Sequence, residues 1–323
     1  MDITTHNQSA RLNPKDPTYK QWIFRYTFLE LEKDLGHAGD ITSDALFVKP
    51  QEVTARIMSK NKGILAGIQE VEYFLVDSDS AFKPRLGKLE VNFLKDDGAV
   101  VAENETVMTM TGDVRDILKV ERTLLNLLGR MSGVATLTRS FVERAGKVLV
   151  TPTRKTLWGW LDKRACVVGG GGTHRLALDD AILVKDNHRA AFAGNLELLL
   201  LELLQRAADI KPRFIEIEVE SAKEALVAAE TYKEWQKKNE ASKKIPFCIM
   251  FDNVPSGEIR EAITMLRKNE LDQLVILEAS GGIDENTFDG YAKAGVDIIS
   301  IGKITHSAPL LDFSLEIEAP EKV

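Results

Sequence analysis

Four cations stand beside short apolar runs: Arg154, Lys155, Arg175 and Lys185, with His174 next to the third. An arginine fork suits carboxylate or phosphate, and each charge-assisted bond contributes about 1.5–3 kcal/mol. Taken singly, such residues are ordinary surface ion-pair partners. Gathered in one place, they require a ligand with several negative charges. A second set is acidic. Strand periodicity puts Glu216, Glu218 and Glu220 on one face and Ile215, Ile217 and Val219 on the other. Three carboxylates in a row repel one another unless cations or a metal face them. With Asp252 they could stabilise developing positive charge or help hold Mg²⁺ around a phosphate. The alternative is that Glu216 and Glu220 partner lysines of the scaffold. The third set is Ser280-Gly281-Gly282, followed one apolar run later by Gly302. Glycines let backbone N–H groups approach a phosphate closely. Gly302-Lys303 is not a nucleotide-binding P-loop, because Ile304 stands where Ser or Thr is required.

These residues need elements that bring them together. From Lys147 onward, β-branched runs alternate with helical segments. The runs are Lys147–Val150, Ile182–Lys185, Phe214–Val219, Phe247–Phe251, Leu274–Leu277 and Asp297–Ile301. Helices are predicted at Leu196–Ala208, Ala222–Trp235, Gly257–Lys268 and Glu285–Ala294. Such alternation builds a parallel sheet, doubly wound or closed into a barrel. Each run ends in polar or glycine residues, and in parallel α/β barrels the C-terminal strand ends form the mouth of the active site. An α/β-barrel enzyme for a phosphorylated, polyanionic small molecule follows. The four-glycine run Gly169–Gly172 is either a second anion cradle or a tight turn ahead of His174. Upstream, Trp22–Leu35 reads as a helix, and the region from Val53 to Thr111 is mixed, with Val53–Met58 and Leu89–Leu94 as strands and Ile68–Val76 as a helix. Helices are then predicted at Val114–Leu128 and Thr136–Ala145, separated by glycines. Residues 1–20 read as a polar arm in which Pro14 and Pro17 discourage regular structure.

Composition narrows the partners. The 323 residues carry net charge −7, which excludes a general nucleic-acid or anionic-membrane binder. Hydrophobic residues make up 44% and charged residues 28%, as in ordinary globular proteins. Cys166 and Cys248 lack zinc-ligand spacing and read as buried, reduced thiols. The polar start has no apolar signal core, and the greasiest stretch, Leu196–Leu204, is interrupted by Glu197 and Glu202. A cytoplasmic protein is expected.

The motifs occur in an order that resembles quinolinate phosphoribosyltransferase (nicotinate-nucleotide pyrophosphorylase, carboxylating). They are Thr153-Arg154-Lys155-Thr156, Gly169-Gly170-Gly171, His174-Arg175, Lys185-Asp186-Asn187-His188, Glu216–Glu218, Asp252-Asn253, Ser280-Gly281-Gly282-Ile283 and Thr305-His306-Ser307. Gly39-Asp40-Ile41-Thr42 and Glu121-Arg122-Thr123-Leu124-Leu125-Asn126 resemble it too. The resemblance implies an α/β sandwich over 21–130, joined by 308–323, and an incomplete, TIM-like α/β barrel over 131–307. It implies a homodimer with shared active sites, or a higher assembly of such dimers. The implied reaction is Mg²⁺-dependent: quinolinate and phosphoribosyl pyrophosphate give nicotinate mononucleotide, pyrophosphate and CO₂, in de novo NAD biosynthesis. By similarity, Arg154, His174 and Arg175 would grip the quinolinate carboxylates, with Arg122 from the neighbouring subunit. Lys155, Lys185 and His306 would bind the sugar diphosphate, Ser280, Gly281, Gly282 and Gly302 the 5′-phosphate, and Glu218 and Asp252 would flank the ribose. Mg²⁺ would be held mainly through pyrophosphate, near Glu218 and Asp252, with no protein metal site of its own.

Three departures stand out. The run Leu157-Trp158-Gly159-Trp160-Leu161 replaces a Pro-Gly-Leu-Arg-like sequence, Thr173 replaces an Asn, and extra residues fall between Tyr232 and Ile245. Alternatives are a phosphoribosyltransferase using nicotinate or another aromatic base, a related branch tied to molybdenum utilisation, and a silent phosphoribosyl-ligand binder. The intact Lys185–His188 motif argues against the second. The presence of Lys185, Glu218 and Asp252 argues against the third. The acidic total also hides a local reversal: seven Lys or Arg against four Asp between Arg154 and Arg189.

Overall fold

In the computed structural model of the chain, the described residues are 3–77, 86–192, 195–238 and 245–318. Residues 239–244 of the expected insertion and 319–323 of the expected C-terminal join lie outside them. In chain order the strands are β1 Glu52–Ser59, β2 Gly63–Ile64, β3 Glu90–Phe93, β4 Val100–Val101, β5 Thr106–Asp113 and β6 Leu149–Pro152, then β7 Ile182–Val184, β8 Ile215–Val219, β9 Phe247–Asp252, β10 Ile276–Ser280, β11 Ile298–Ile301 and β12 Phe313–Ile317. The chain divides into two compact units. One is Ser9–Arg139 with Leu157–Gly170 and Ser307–Val323; the other is Met1–Gln8 with Ser140–Thr156 and Gly171–His306. No helix among the described residues is long and apolar enough to cross a membrane.

The first unit is built on an antiparallel sheet in the order β12-β1-β5-β3. Ala55 and Ile57 of β1 pair with Met110 and Met108 of β5, and all four are buried, as period-two geometry requires. The helix Pro17–Leu35 starts five residues earlier than the periodicity from Trp22 predicts. Proline is harmless in a first turn, where its missing N–H would have no helical partner, and Asp16 caps the N–H groups of Thr18 and Tyr19 at 2.8 and 3.0 Å. The two helices expected on either side of Gly129 and Gly133 are one, Val114–Ala145. The glycines serve close approach, not termination: a Cβ on Gly133 would lie 2.0 Å from the Pro309 carbonyl oxygen. The run Leu157–Leu161 leads into a helix, Trp160–Val168, that the sequence reading does not resolve. It is secured by aromatic packing, with Trp158 4.2 Å from Tyr26 and Trp160 6.2 Å from Trp22 between ring centres.

The second unit is a wholly parallel sheet in the order β7-β8-β9-β10-β11-β6. Consecutive strands are neighbours, and the last pairs with the first, which is barrel winding with one pair missing, β6–β7. Strands β8 to β11 are buried along almost their whole length, because both faces are covered. The gap is filled by two short pieces of chain. The Gly172 N–H donates to the Val150 carbonyl of β6 at 2.8 Å, and the N–H groups of Thr173 and His174 donate to the His6 carbonyl at 3.1 and 2.8 Å. So the residues Ile3–His6, expected in an irregular arm, form a 3₁₀ turn and enter this core. The His6 ring stacks on Phe214 at 3.8 Å, and Ile3 packs against Cys248, Ile276 and Ile298. Both cysteines are buried, and burial raises the Cys166 thiol to about 12. Past Tyr232 the helix Ala222–Lys238 continues for three residues, just under one turn, beyond the expected end at Trp235.

Candidate active site

At the C-terminal ends of the parallel strands lies a cavity of about 110 Å³. Thr153 and Arg154 reach it from the end of β6, His174 and Arg175 from the segment in the barrel gap, and Lys185 from the end of β7. Leu183, Met250, Ser280 and Ser300 complete the lining. Arg154 is exposed and Arg175 buried, its guanidinium donating to the Ala181 carbonyl at 3.1 Å. Burial, and then Arg154 close by, lower the pKa of Arg175. Two guanidinium groups that repel across a cavity wall are stabilised by an anion between them.

Glu218, near the end of β8, is buried and bonded to the Lys185 ammonium. Its second oxygen accepts the Asp186 N–H at 3.1 Å, so the carboxylate is held from two sides. The Lys185 N–H donates to Nδ1 of His188, which fixes the start of the helix Asp186–Ala191. Asp252 ends β9 in register with Ser280 of β10 and accepts from the Asn253 side chain at 2.8 Å. Gly281 packs against that asparagine: at φ +84°, a Cβ there would lie 2.4 Å from the Asn253 oxygen. The Ser300 hydroxyl donates to the Ser280 hydroxyl at 2.9 Å. Gly302 lies next to the exposed His306 ring, and the Thr305 hydroxyl holds the Lys155 carbonyl at 2.8 Å. Arg122 belongs to the other unit, where it borders a hollow with Asp40 and Lys119, and is not among the residues lining this cavity.

The acidic row of β8 divides by depth. Glu220 lies beyond the strand, exposed, and Glu216 is fully buried. Neither is paired with a lysine as expected. Glu216 instead faces His174, whose Nε2 lies 3.2 Å from Glu216 and 3.3 Å from Glu278. Glu278 and His6 are the residues that sequence reasoning missed. The expected strand stopped at Leu277, and an acid within the apolar run Val275–Ala279 was the available signal. For His6 there was none beyond its residue type.

One donor atom from each of His6, His174, Glu216 and Glu278 lies within 4.8 Å of the others, a spacing suited to a metal ion. The hydrogen bonding argues for a proton instead. The Arg175 N–H donates to His174 Nδ1 at 2.8 Å, so Nε2 of that ring carries the hydrogen and has no lone pair for a cation. Burial opposes a charge on His174, but the Glu216 and Glu278 carboxylates outweigh it and raise the ring to about 9, while the N–H aimed at Nδ1 disfavours the second ring proton. His174 and Glu216, which burial and the neighbouring Glu278 push up to about 7, therefore share the proton. Burial lowers His6 to about 3, so it is neutral when folded. Unfolding lets it take a proton below its ordinary value, so its contribution to stability is complete above about pH 6.5 and is lost as pH falls towards 3. Between pH 7.5 and pH 5 the loss is about 2 kcal/mol. His6→Phe removes this term, and its urea midpoint should fall correspondingly less on acidification than that of the parent. Equal falls for the two proteins would contradict a neutral buried His6.

The comparisons with known proteins bear on the whole chain. The pattern of the quinolinate phosphoribosyl transferase N-terminal domain matches residues 40–132, and that of the C-terminal domain matches residues 134–316. The chain belongs to the quinolinate phosphoribosyl transferase family. It is 39% identical over 284 residues to a probable nicotinate-nucleotide pyrophosphorylase (carboxylating) of Methanothermobacter thermautotrophicus, covering 86% of this chain and 93% of that one. A chloroplastic nicotinate-nucleotide pyrophosphorylase (carboxylating) of Arabidopsis thaliana is 32% identical, covering 94% and 85%. Among solved structures, the nicotinate-nucleotide pyrophosphorylase of Francisella tularensis superposes with a TM-score of 0.76 at 30% identity, covering 92% of this chain and 96% of that one. The quinolinate phosphoribosyl transferase fold thus accounts for both units, the antiparallel sheet and the parallel barrel.

Proposed function

We propose that this chain transfers a phosphoribosyl group from phosphoribosyl pyrophosphate to quinolinate, yielding nicotinate mononucleotide, pyrophosphate and CO₂ for de novo NAD biosynthesis. It is a pentosyltransferase, a nicotinate-nucleotide pyrophosphorylase of the carboxylating type. The observation that carries this reading is the meeting of Arg154, Arg175 and Lys185 on one cavity, with Glu218 paired to Lys185 at its edge. Two arginines match a ring with two adjacent carboxylates. A lysine backed by a carboxylate matches a sugar bearing a diphosphate, where negative and positive charge develop side by side.

In the transfer, the pyridine nitrogen donates its lone pair to C1 of the ribose as the C1–oxygen bond to pyrophosphate breaks. Positive charge grows on the ribose, where Glu218 and Asp252 can stabilise it electrostatically. Lys185 and Lys155 offset the negative charge on the departing group. The product nitrogen is a pyridinium, an electron sink. The bond to the adjacent carboxylate then breaks, CO₂ leaves, and the electron pair left on the ring carbon takes a proton from water. Ser280, Gly281, Gly282 and Gly302 would hold the 5′-phosphate through hydroxyl and backbone groups. Asp252 offers the hard oxygen donors that Mg²⁺ prefers; bound with the pyrophosphate, that ion would neutralise leaving-group charge. His174 contributes packing to this site, since both ring nitrogens are engaged elsewhere.

The active form is a cytoplasmic homodimer in which Arg122 completes the partner's dicarboxylate site. The motif Glu121-Arg122-Thr123-Leu124-Leu125-Asn126, which resembles that of the family, supports that arrangement. With Mg²⁺, phosphoribosyl pyrophosphate and carboxyl-labelled quinolinate, the purified protein should release labelled CO₂ and form nicotinate mononucleotide. Equal turnover of nicotinate, without CO₂, would overturn the assignment in favour of a nicotinate-using enzyme.

A further inference from the structure

His174 has a left-handed backbone, φ +52°, which residues other than glycine seldom adopt. It is held there by groups that the chemistry above does not use. Its N–H and that of Thr173 both donate to the His6 carbonyl. Its Nε2 faces Glu216 and Glu278, and its Nδ1 accepts the N–H of Arg175. The short segment containing His6 is itself anchored: Arg213 donates to the Thr5 carbonyl at 2.9 Å, and the Gln8 N–H donates to the Thr173 hydroxyl at 2.9 Å. The Gln8 side chain and the Leu176 N–H converge on the same oxygen of Asp180. These contacts hold, directly or through the His6 segment, the residues Thr173–Leu176 that carry Arg175 into the cavity.

We propose that Glu278 and the N-terminal segment around His6 are positioning elements of the anion site. They clamp His174 in its left-handed conformation, and this fixes the Arg175 guanidinium at the cavity wall. A buried carboxylate and a stretch of chain far away in sequence would then set dicarboxylate affinity without touching the ligand. The inference rests on the dicarboxylate reading of the site, so its test uses phthalate, which presents two adjacent carboxylates but has no ring nitrogen and cannot react.

Phthalate binding is measured by calorimetry, and the KM for each substrate by steady-state assay, for the parent, Glu278→Leu, Glu278→Gln and His6→Ala. Glu278→Leu should weaken phthalate by roughly tenfold or more and raise the quinolinate KM in parallel, with the phosphoribosyl pyrophosphate KM changed less than about twofold. Glu278→Gln keeps an acceptor for Nε2–H and should recover most of that affinity. His6→Ala keeps the carbonyl but loses the stacked ring, and should show the same split at roughly three- to fivefold; it carries the test alone if the leucine variant does not fold. Parent-like phthalate affinity in a folded Glu278→Leu or His6→Ala protein would overturn the inference. Equal weakening of both substrates would also overturn it, because that marks general loss of structure. Failure of the parent to bind phthalate would remove the dicarboxylate site and this inference together. Absence of CO₂ release with the phthalate split intact would remove only the proposed reaction.

Discussion

Glu218→Gln should slow the chemical step by roughly a hundred- to a thousandfold, equivalent to about 3–4 kcal/mol of barrier. The side chain is almost isosteric, so the loss reports charge. In the free protein the carboxylate is bonded to Lys185 and to the Asp186 N–H, and the Arg189 guanidinium holds the Glu218 carbonyl at 3.3 Å. It is therefore oriented before any substrate arrives. A group fixed in this way acts on charge that develops only in the transition state, so substrate affinities should change by less than about threefold. Single-turnover product formation measures the rate, and calorimetry with each substrate measures affinity. A variant within tenfold of the parent rate would show that Glu218 supports Lys185 and little else.

Asp162→Ala should destabilise the protein by about 3–5 kcal/mol. Arg130 Nε and Nη2 donate to the two Asp162 oxygens at 2.9 and 3.0 Å, with the aspartate fully buried and the arginine nearly so. One of those oxygens also accepts the N–H groups of Leu157 and Trp158 at 3.1 Å. Removing the carboxylate leaves a buried guanidinium without its bidentate acceptor and two N–H groups without theirs. Asp162→Asn keeps one acceptor oxygen and should lose less. Urea unfolding with an unchanged slope and a lowered midpoint would bear this out. A midpoint shift under about 1 kcal/mol would mean that the site rearranges to rehydrate Arg130.

What the sequence discloses about the site follows from where each residue lies along its strand. Lys185, Glu218, Asp252 and Ser280 sit where apolar runs give way to polar residues, and that transition is visible without any coordinates. Glu278 sits two residues short of such a transition, inside β10, and a single acid in an apolar run says nothing about which histidine it will meet. His6 is joined to Thr173 and His174 through its carbonyl, a group that every residue type possesses, so residue identity could not reveal the contact. The pair Gly129 and Gly133 misleads for a related reason. Glycine reads as a breaker of helices, and its second use, admitting another stretch of backbone, depends on where residues 309–311 end up.

Both sheets are completed by strands far apart in sequence: β1 with β12 in one unit, and β6 with β11 in the other. During synthesis, β1 leaves the ribosome long before the segment that covers its outer edge. Until Phe313–Ile317 arrives, that edge offers unpaired N–H and carbonyl groups to any neighbouring chain. Pairings this distant are slow to close and leave partly folded chains open to misassociation. The interval before β12 emerges is thus the one in which the open β1 edge would have the most to gain from a chaperone.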